Sequence, residues 1–242
     1  MTDEQPLRSS HTNTFPALLE EIDISLLLTT YQAGKLVALR ADDGVLNTHF
    51  RSFSKPMGLA LRGPQLAIGT QNKVWEYHSD DAVAPKLEPL GKCDRCFMPR
   101  VGHVTGDMQI HEMEWVDDEL WFVNTLFSCL AVRSILYSFL PKWQPPFITS
   151  LAPEDRCHLN GLGLRDGKIR YVTALDQSDE AAGWRKKKDG GIVMDTTTNE
   201  ILLDGLAMPH SPRWYNDKSS RRRSAAGPGC LSECFHLRSM VA

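Results

Sequence analysis

Asn160-Gly-Leu-Gly-Leu-Arg-Asp-Gly-Lys-Ile169-Arg-Tyr-Val-Thr173 reads as an alternating strand, a polar turn and a second apolar strand. A third strand follows at Gly191-Ile-Val-Met-Asp195. The turn Thr196–Asn199 then leads into a fourth, Glu200-Ile-Leu-Leu-Asp204. Four antiparallel strands within about fifty residues make a propeller blade. The same opening recurs upstream at Met57-Gly-Leu-Ala-Leu-Arg-Gly-Pro-Gln-Leu66 and at His111-Glu-Met-Glu-Trp-Val-Asp-Asp-Glu-Leu120. It recurs downstream at His210-Ser-Pro-Arg-Trp214, whose Trp214 falls where Trp115 falls. The starts at 57, 111, 160 and 210 are 54, 49 and 50 residues apart. Arg62-Gly-Pro-Gln, Asp117-Asp118, Asp166-Gly167 and Asn216-Asp217 supply hairpin chemistry between the paired strands. Residues 24–30 and 36–40 read as strands of an earlier blade. A β-sandwich also has short strands and frequent turns, but it demands no repeat. The expected fold is therefore all-β, a β-propeller with about four recognisable blades.

The 242 residues carry a formal net charge of -3, 42% hydrophobic and 24% charged residues, which excludes collagen-like, coiled-coil and wholly disordered chains. The N-terminus has early acids and no signal-peptide core, and no apolar run approaches the roughly 18 residues that span a bilayer. These features predict a cytoplasmic protein with no membrane partner. The acidic body argues against nucleic acid. Cys93-Asp-Arg-Cys96 is a C-x-x-C in a Pro/Gly-bounded loop with no second pair at zinc-site spacing. The six cysteines are expected to be incidental free thiols.

The organisation expected is an N-terminal extension over 1–20, a partial propeller over 21–218 and an atypical tail over 219–242. The fourth copy should continue at 219 with an apolar strand. Instead the chain runs Ser219-Ser-Arg-Arg-Arg-Ser-Ala-Ala-Gly-Pro-Gly-Cys230. The tail carries a net charge of +3 and residues 1–218 a net of -6. A frameshift or a mis-spliced gene model would produce this change, leaving a disordered end and a truncated, open ring; the alternative is a genuine basic tail.

Leu28-Thr-Thr-Tyr-Gln-Ala-Gly-Lys35, residues 97–112, Gly183-Trp-Arg, Gly190-Gly-Ile-Val-Met-Asp195 and Met208-Pro-His-Ser-Pro-Arg-Trp214 are long, specific phrases. Over residues 20–217 they resemble a conserved-hypothetical bacterial family of β-propellers, sometimes joined to tetratricopeptide repeats. The resemblance implies a fold and no reaction. By analogy, it implies a tetratricopeptide-repeat protein as one kind of partner.

In a propeller the innermost strand of each blade lines the central channel, and the loops entering it share a face with those between the second and third strands. Met57, His111, Asn160 and His210 are thus expected round one mouth. Arg100, His103 and Asp107 are placed in the loop entering the second blade. Asn124 and Thr125 end a second strand at this face. The insertion 174–190, with Trp184, Arg185 and Lys186–Lys188, should hang over it. Two readings stay open. In the first, Arg100, His103, Asp107, Asn124, Asn160, Trp184 and Arg185 form a binding surface for a small molecule or peptide. In the second, His111, His158 and His210 ligate a divalent Zn or Fe, with Glu112 or Asp107 as orienter or general base, in a lyase, hydrolase or oxygenase. The alternative to both is that these His and Asn side chains only bond neighbouring blades. His158 precedes Asn160 by two residues, so its offset differs from that of His111 and His210.

Overall fold

A computed structural model describes residues 10–88 and 90–215, and the backbone of 235–239. The chain divides into two compact units, one reaching Met57 and one starting at Gly58.

The first unit holds the helix α1 (Phe15–Glu21) and the strands β1 (Leu26–Thr30), β2 (Lys35–Asp42) and β3 (Val45–Ser52), an antiparallel sheet in the order β1-β2-β3. Pro16 opens α1, where its missing N–H costs nothing. Leu19 is buried, and the Glu20 carboxylate accepts from the Gly44 amide in the β2–β3 turn at 2.7 Å.

The second unit is a run of antiparallel blades. The first contains β4 (Leu59–Arg62), β5 (Gln65–Gly69), β6 (Lys73–Ser79) and β7 (Phe97–Val104). The next contains β8 (Ile110–Val116), β9 (Glu119–Asn124), β10 (Cys129–Val132) and β11 (Leu140–Trp143). The third contains β12 (Leu159–Arg165), β13 (Lys168–Ala174), β14 (Gly191–Asp195) and β15 (Ile201–Leu206). Finally β16 (Pro209–Trp214) pairs with β17 (Phe235–Ser239). The chain is an all-β propeller of four blades. The hairpins follow from turn chemistry: Asp166 and Gly167 join β12 to β13 with φ of 53° and 75°, the two positive values that a type I′ turn requires. The atypical tail predicted over 219–242 lies outside the described residues except for the backbone of β17.

The innermost strands β4, β8, β12 and β16 stand beside one another in that order. Side chains alternate across each blade, so β9 sends Leu120 and Phe122 into one core and Val123 into the next. The first core joins Ala60, Ala67 and Val74 to Met113 and Phe122. The second joins Val123 and Leu130 to Leu159, Val172 and Ile192. Period-two patterning with both faces buried is what makes these strands read as near-continuous apolar runs. No helix among the described residues is long and apolar enough to cross a membrane.

Candidate metal centre

A repeated backbone device prepares the site. Lys55, Gln109, His158 and Met208 each stand two residues ahead of the repeat starts 57, 111, 160 and 210. All four have positive φ: 44°, 51°, 50° and 50°. A non-glycine residue in this left-handed region costs energy and persists only where the surroundings enforce it. In two blades the device lets a backbone carbonyl reach the histidine that follows. His111 Nδ1 donates to the Gln109 oxygen at 2.9 Å, and His210 Nδ1 donates to the Met208 oxygen at 2.9 Å. In the blade between them the histidine itself takes the left-handed position, and His158 Nδ1 donates to the Asp155 carboxylate at 2.9 and 3.0 Å. The unequal offset of His158 therefore does not carry it away from the others. One ligand atom from each of His111, His158 and His210 lies within 4.8 Å of the other two. The His111 and His158 rings meet edge-on, with centres 4.8 Å apart.

The hydrogen bonds set the tautomers. The Thr125 hydroxyl donates to the Leu159 carbonyl at 2.6 Å, so it accepts from His111 Nδ1, 2.8 Å away. In all three rings the acceptor is an oxygen, so Nδ1 carries a proton and Nε2 is the atom left to ligate. Burial, helped by the neighbouring His158, pushes His111 down to about 4. Burial also lowers His210, with the Met208 carbonyl opposing it. Neutral imidazoles presenting Nε2, with Nδ1 held by carbonyl or carboxylate, are the donor set of a first-row metal site. Three nitrogens on one tetrahedral zinc stand about 3.4 Å apart. The trio needs only a modest contraction to reach that spacing.

The 175–190 insertion reaches the trio at His158. Trp184 Nε1 donates to Asp155 Oδ2 at 2.9 Å, and its ring centre lies 4.3 Å from that of His158. The Arg185 guanidinium carbon stands 4.5 Å from the Trp184 ring centre. The strap is tied down further back: Arg156 donates to Asp179 at 2.7 Å, and the Thr149 hydroxyl donates to Asp179 at 2.6 Å. Only a glycine fits at 183, where a Cβ would lie 1.9 Å from the Ser178 hydroxyl oxygen.

The remaining predicted residues divide. Asn160, at the start of β12, is 2% exposed and accepts from the Thr173 hydroxyl at 2.6 Å. Asn124 is fully buried, and its Oδ1 accepts from the Phe127 amide in the turn that positions Thr125. The Nδ2 of each has no partner among the described residues. Asp107 does lie in the loop entering β8, where it is exposed and accepts from the Gln109 amide at 3.2 Å. Arg100 and His103 are corrected: both stand on β7, the outermost strand of their blade, because Phe97–Val104 pairs along β6 instead of forming a loop. Arg100 is exposed. His103 contacts Glu76 at 3.0 Å and lines a cavity of about 210 Å³ beside Arg133, Leu120 and Val132.

Glu112 is corrected too. Its carboxylate accepts from the Leu162 amide at 2.8 Å and from Arg213, so it ties β8 to β12 and β16 and leaves no oxygen free as a base at the trio. The register of β8 against β9 shifts between Ile110 and Met113, and this irregularity sets the directions that His111 and Glu112 take. Asp155 and Thr125 are the functional neighbours that sequence reasoning did not assign as orienters. The buried Cys129 and Cys157 thiols are pushed up to about 12 by burial, which keeps them protonated and inert.

The family model described as "Domain of unknown function (DUF4915)" matches residues 13–234. No curated protein matches the chain in sequence. Among solved structures, the chain is similar to a streptogramin B lyase at 12% identity, covering 79% of this chain and 56% of that one, with a TM-score of 0.43. It is similar to virginiamycin B lyase from Staphylococcus aureus at 12% identity, covering 78% and 56%, with a TM-score of 0.40. It is also similar to the glutaminyl cyclase of Myxococcus xanthus at 12% identity, covering 79% and 77%, with a TM-score of 0.40. The chain spans 56% of the length of each lyase.

Proposed function

The chain belongs to the DUF4915 family, and from that premise we propose that its propeller is a mononuclear metal enzyme whose zinc or ferrous ion is held by Nε2 of His111, His158 and His210. The observation that carries this reading is the approach of His111, His158 and His210 to within 4.8 Å of one another at one ligand nitrogen each, with all three Nδ1 atoms already bonded to carbonyl or carboxylate oxygens. With each Nδ1 proton bonded, Nε2 is the atom each ring has left to offer an electrophile. A three-imidazole site keeps coordination positions open. The ion supplies Lewis-acid polarisation of a substrate oxygen or a bound water acidified to near neutrality. Lyase and hydrolase chemistry both draw on that property, and oxygenase chemistry requires the iron form.

The second reading is a non-enzymatic binding module at the same mouth, for a small molecule or peptide, or for a tetratricopeptide-repeat partner. It is favoured by the exposed Arg185 and Lys186–Lys188 beside Trp184, and the same acceptors would then receive ligand N–H groups. Metal analysis separates the two. Protein stripped by chelator and titrated with Zn²⁺ or Co²⁺ should take up one equivalent, and a His111→Ala/His210→Ala variant with unchanged circular dichroism should take up none. A folded wild-type protein that binds no metal sinks the enzyme reading.

A further inference from the structure

We infer that the metal-loaded site takes an oxyanion ligand, a carboxylate or a phosphoryl group, which binds the ion while Asn160 and Arg185 hold it from the protein side. This inference rests on the metal reading above. Its first support is charge. Three neutral imidazoles leave a divalent ion with its charge uncompensated by any of its ligands. Asp155, whose oxygens accept from His158 and Trp184, keeps its single negative charge beside the trio and offsets at most one of the ion's two charges. Glu112 is turned into Leu162 and Arg213. Asp107 is spent on its own turn. A half-buried divalent ion with only Asp155 near it keeps a net positive charge, and an incoming anion is what balances it.

The second support is a pair of buried donors. Asn160 occupies in its blade the repeat position that His111 and His210 occupy in theirs. Its Nδ2 has no acceptor among the described residues although the side chain is 2% exposed. Asn124 Nδ2, next to the Thr125 that orients His111, is in the same condition. Leaving such a group unmatched costs about 1–3 kcal/mol, so each calls for an acceptor. An oxyanion supplies several.

The third support is the strap. Lys186 is paired with Glu180, and Lys187 stands 3.5 Å from Asp176. Arg185 has no carboxylate partner among the described residues, yet its guanidinium is held over the Trp184 ring, which meets His158 at a tilt of 39°. An unpaired, stacked guanidinium at a metal mouth is suited to planar recognition of carboxylate or phosphate oxygens.

The test uses the full chain loaded with Co²⁺, whose visible spectrum reports ligand exchange. Acetate, malonate and inorganic phosphate are titrated in turn, with acetamide as the neutral comparison. An anion is expected to shift the spectrum with one-to-one stoichiometry and to bind at least tenfold more tightly than acetamide. The tighter of malonate and phosphate assigns the oxyanion to its source. Arg185→Gln and Asn160→Asp should each weaken anion binding at least tenfold while cobalt stays at one equivalent, and Arg185→Lys should restore part of the loss. Cobalt bound normally, with acetamide matching the anions or with both variants unaffected, overturns the oxyanion inference and leaves the metal reading standing. No cobalt uptake by the folded wild type overturns both.

Discussion

Asp155 shows what one side chain does here and why a sequence hides it. The trio and Trp184 stand out as chemistry-bearing residues at repeat positions. Asp155 is one acid among 30 acidic residues, three places before His158. What joins it to the ring is a left-handed turn, with φ of 48° at Asp155 and 50° at His158, and no composition signal marks that. The same geometry fixes the prediction. An Asp155→Asn side chain tolerates the left-handed backbone. Its one oxygen carries no charge to hold the His158 and Trp184 N–H groups, and its amide presents a donor where the carboxylate offered His158 a second acceptor. Orienting partners of this kind are worth about 10–100-fold in metal affinity. Competition titration should show Zn²⁺ affinity falling by that factor in Asp155→Asn, with the thermal midpoint little changed and Trp184 fluorescence altered. Unchanged affinity would mean that His158 is oriented by something other than the carboxylate.

At the scale of an element, the strap over 175–190 is legible as an insertion between the second and third strands of its blade. Where it lands is not legible, because its anchors Thr149 and Arg156 belong to the segment entering β12. Asp179 joins them, and the Thr149 hydroxyl and amide, followed by Arg156, hold its carboxyl down to about 2, against an ordinary 3.8. A depressed acid contributes stability that is present above its unfolded value and lost as pH falls through its folded value. The fastening should therefore weaken only between about pH 4 and pH 2 and be constant above. Asp179→Asn removes it at every pH. Hydrogen exchange at neutral pH should then show faster opening of the amides of 176–190, with β12–β14 protection unchanged. If the strap amides in Asp179→Asn exchange as in the wild type, the strap is held by Trp184 and its backbone bonds alone.

For the whole molecule, the repeat was readable because hairpins and period-two strands leave their spacing in the sequence. The three histidines that come together were readable as residues of one face. What spacing does not convey is how closely neighbouring inner strands approach, and that distance decides whether imidazoles from separate blades share an ion. Gly163 on β12 is where the approach is tightest against backbone: an added Cβ would lie 2.6 Å from the Pro212 carbonyl oxygen on β16. Pro212 follows His210 by two residues, and a backbone oxygen cannot swing aside as a flexible side chain does. Gly163→Ala should therefore push β16 outward and carry His210 with it. Overpacking of this kind costs about 1–3 kcal/mol, or a fall in midpoint of roughly 2–4 °C per kcal/mol for a chain of this size. The same displacement widens the trio, so metal affinity should fall beyond what lost stability explains at a temperature where the variant is folded. Gly167→Asn, in the β12–β13 turn where a Cβ meets nothing within 4 Å, is the control that should leave metal affinity intact. If Gly163→Ala lowers the midpoint while zinc affinity is unaltered, β16 does not set the position of His210, and the centre is assembled by its loops instead of by the packing of the propeller.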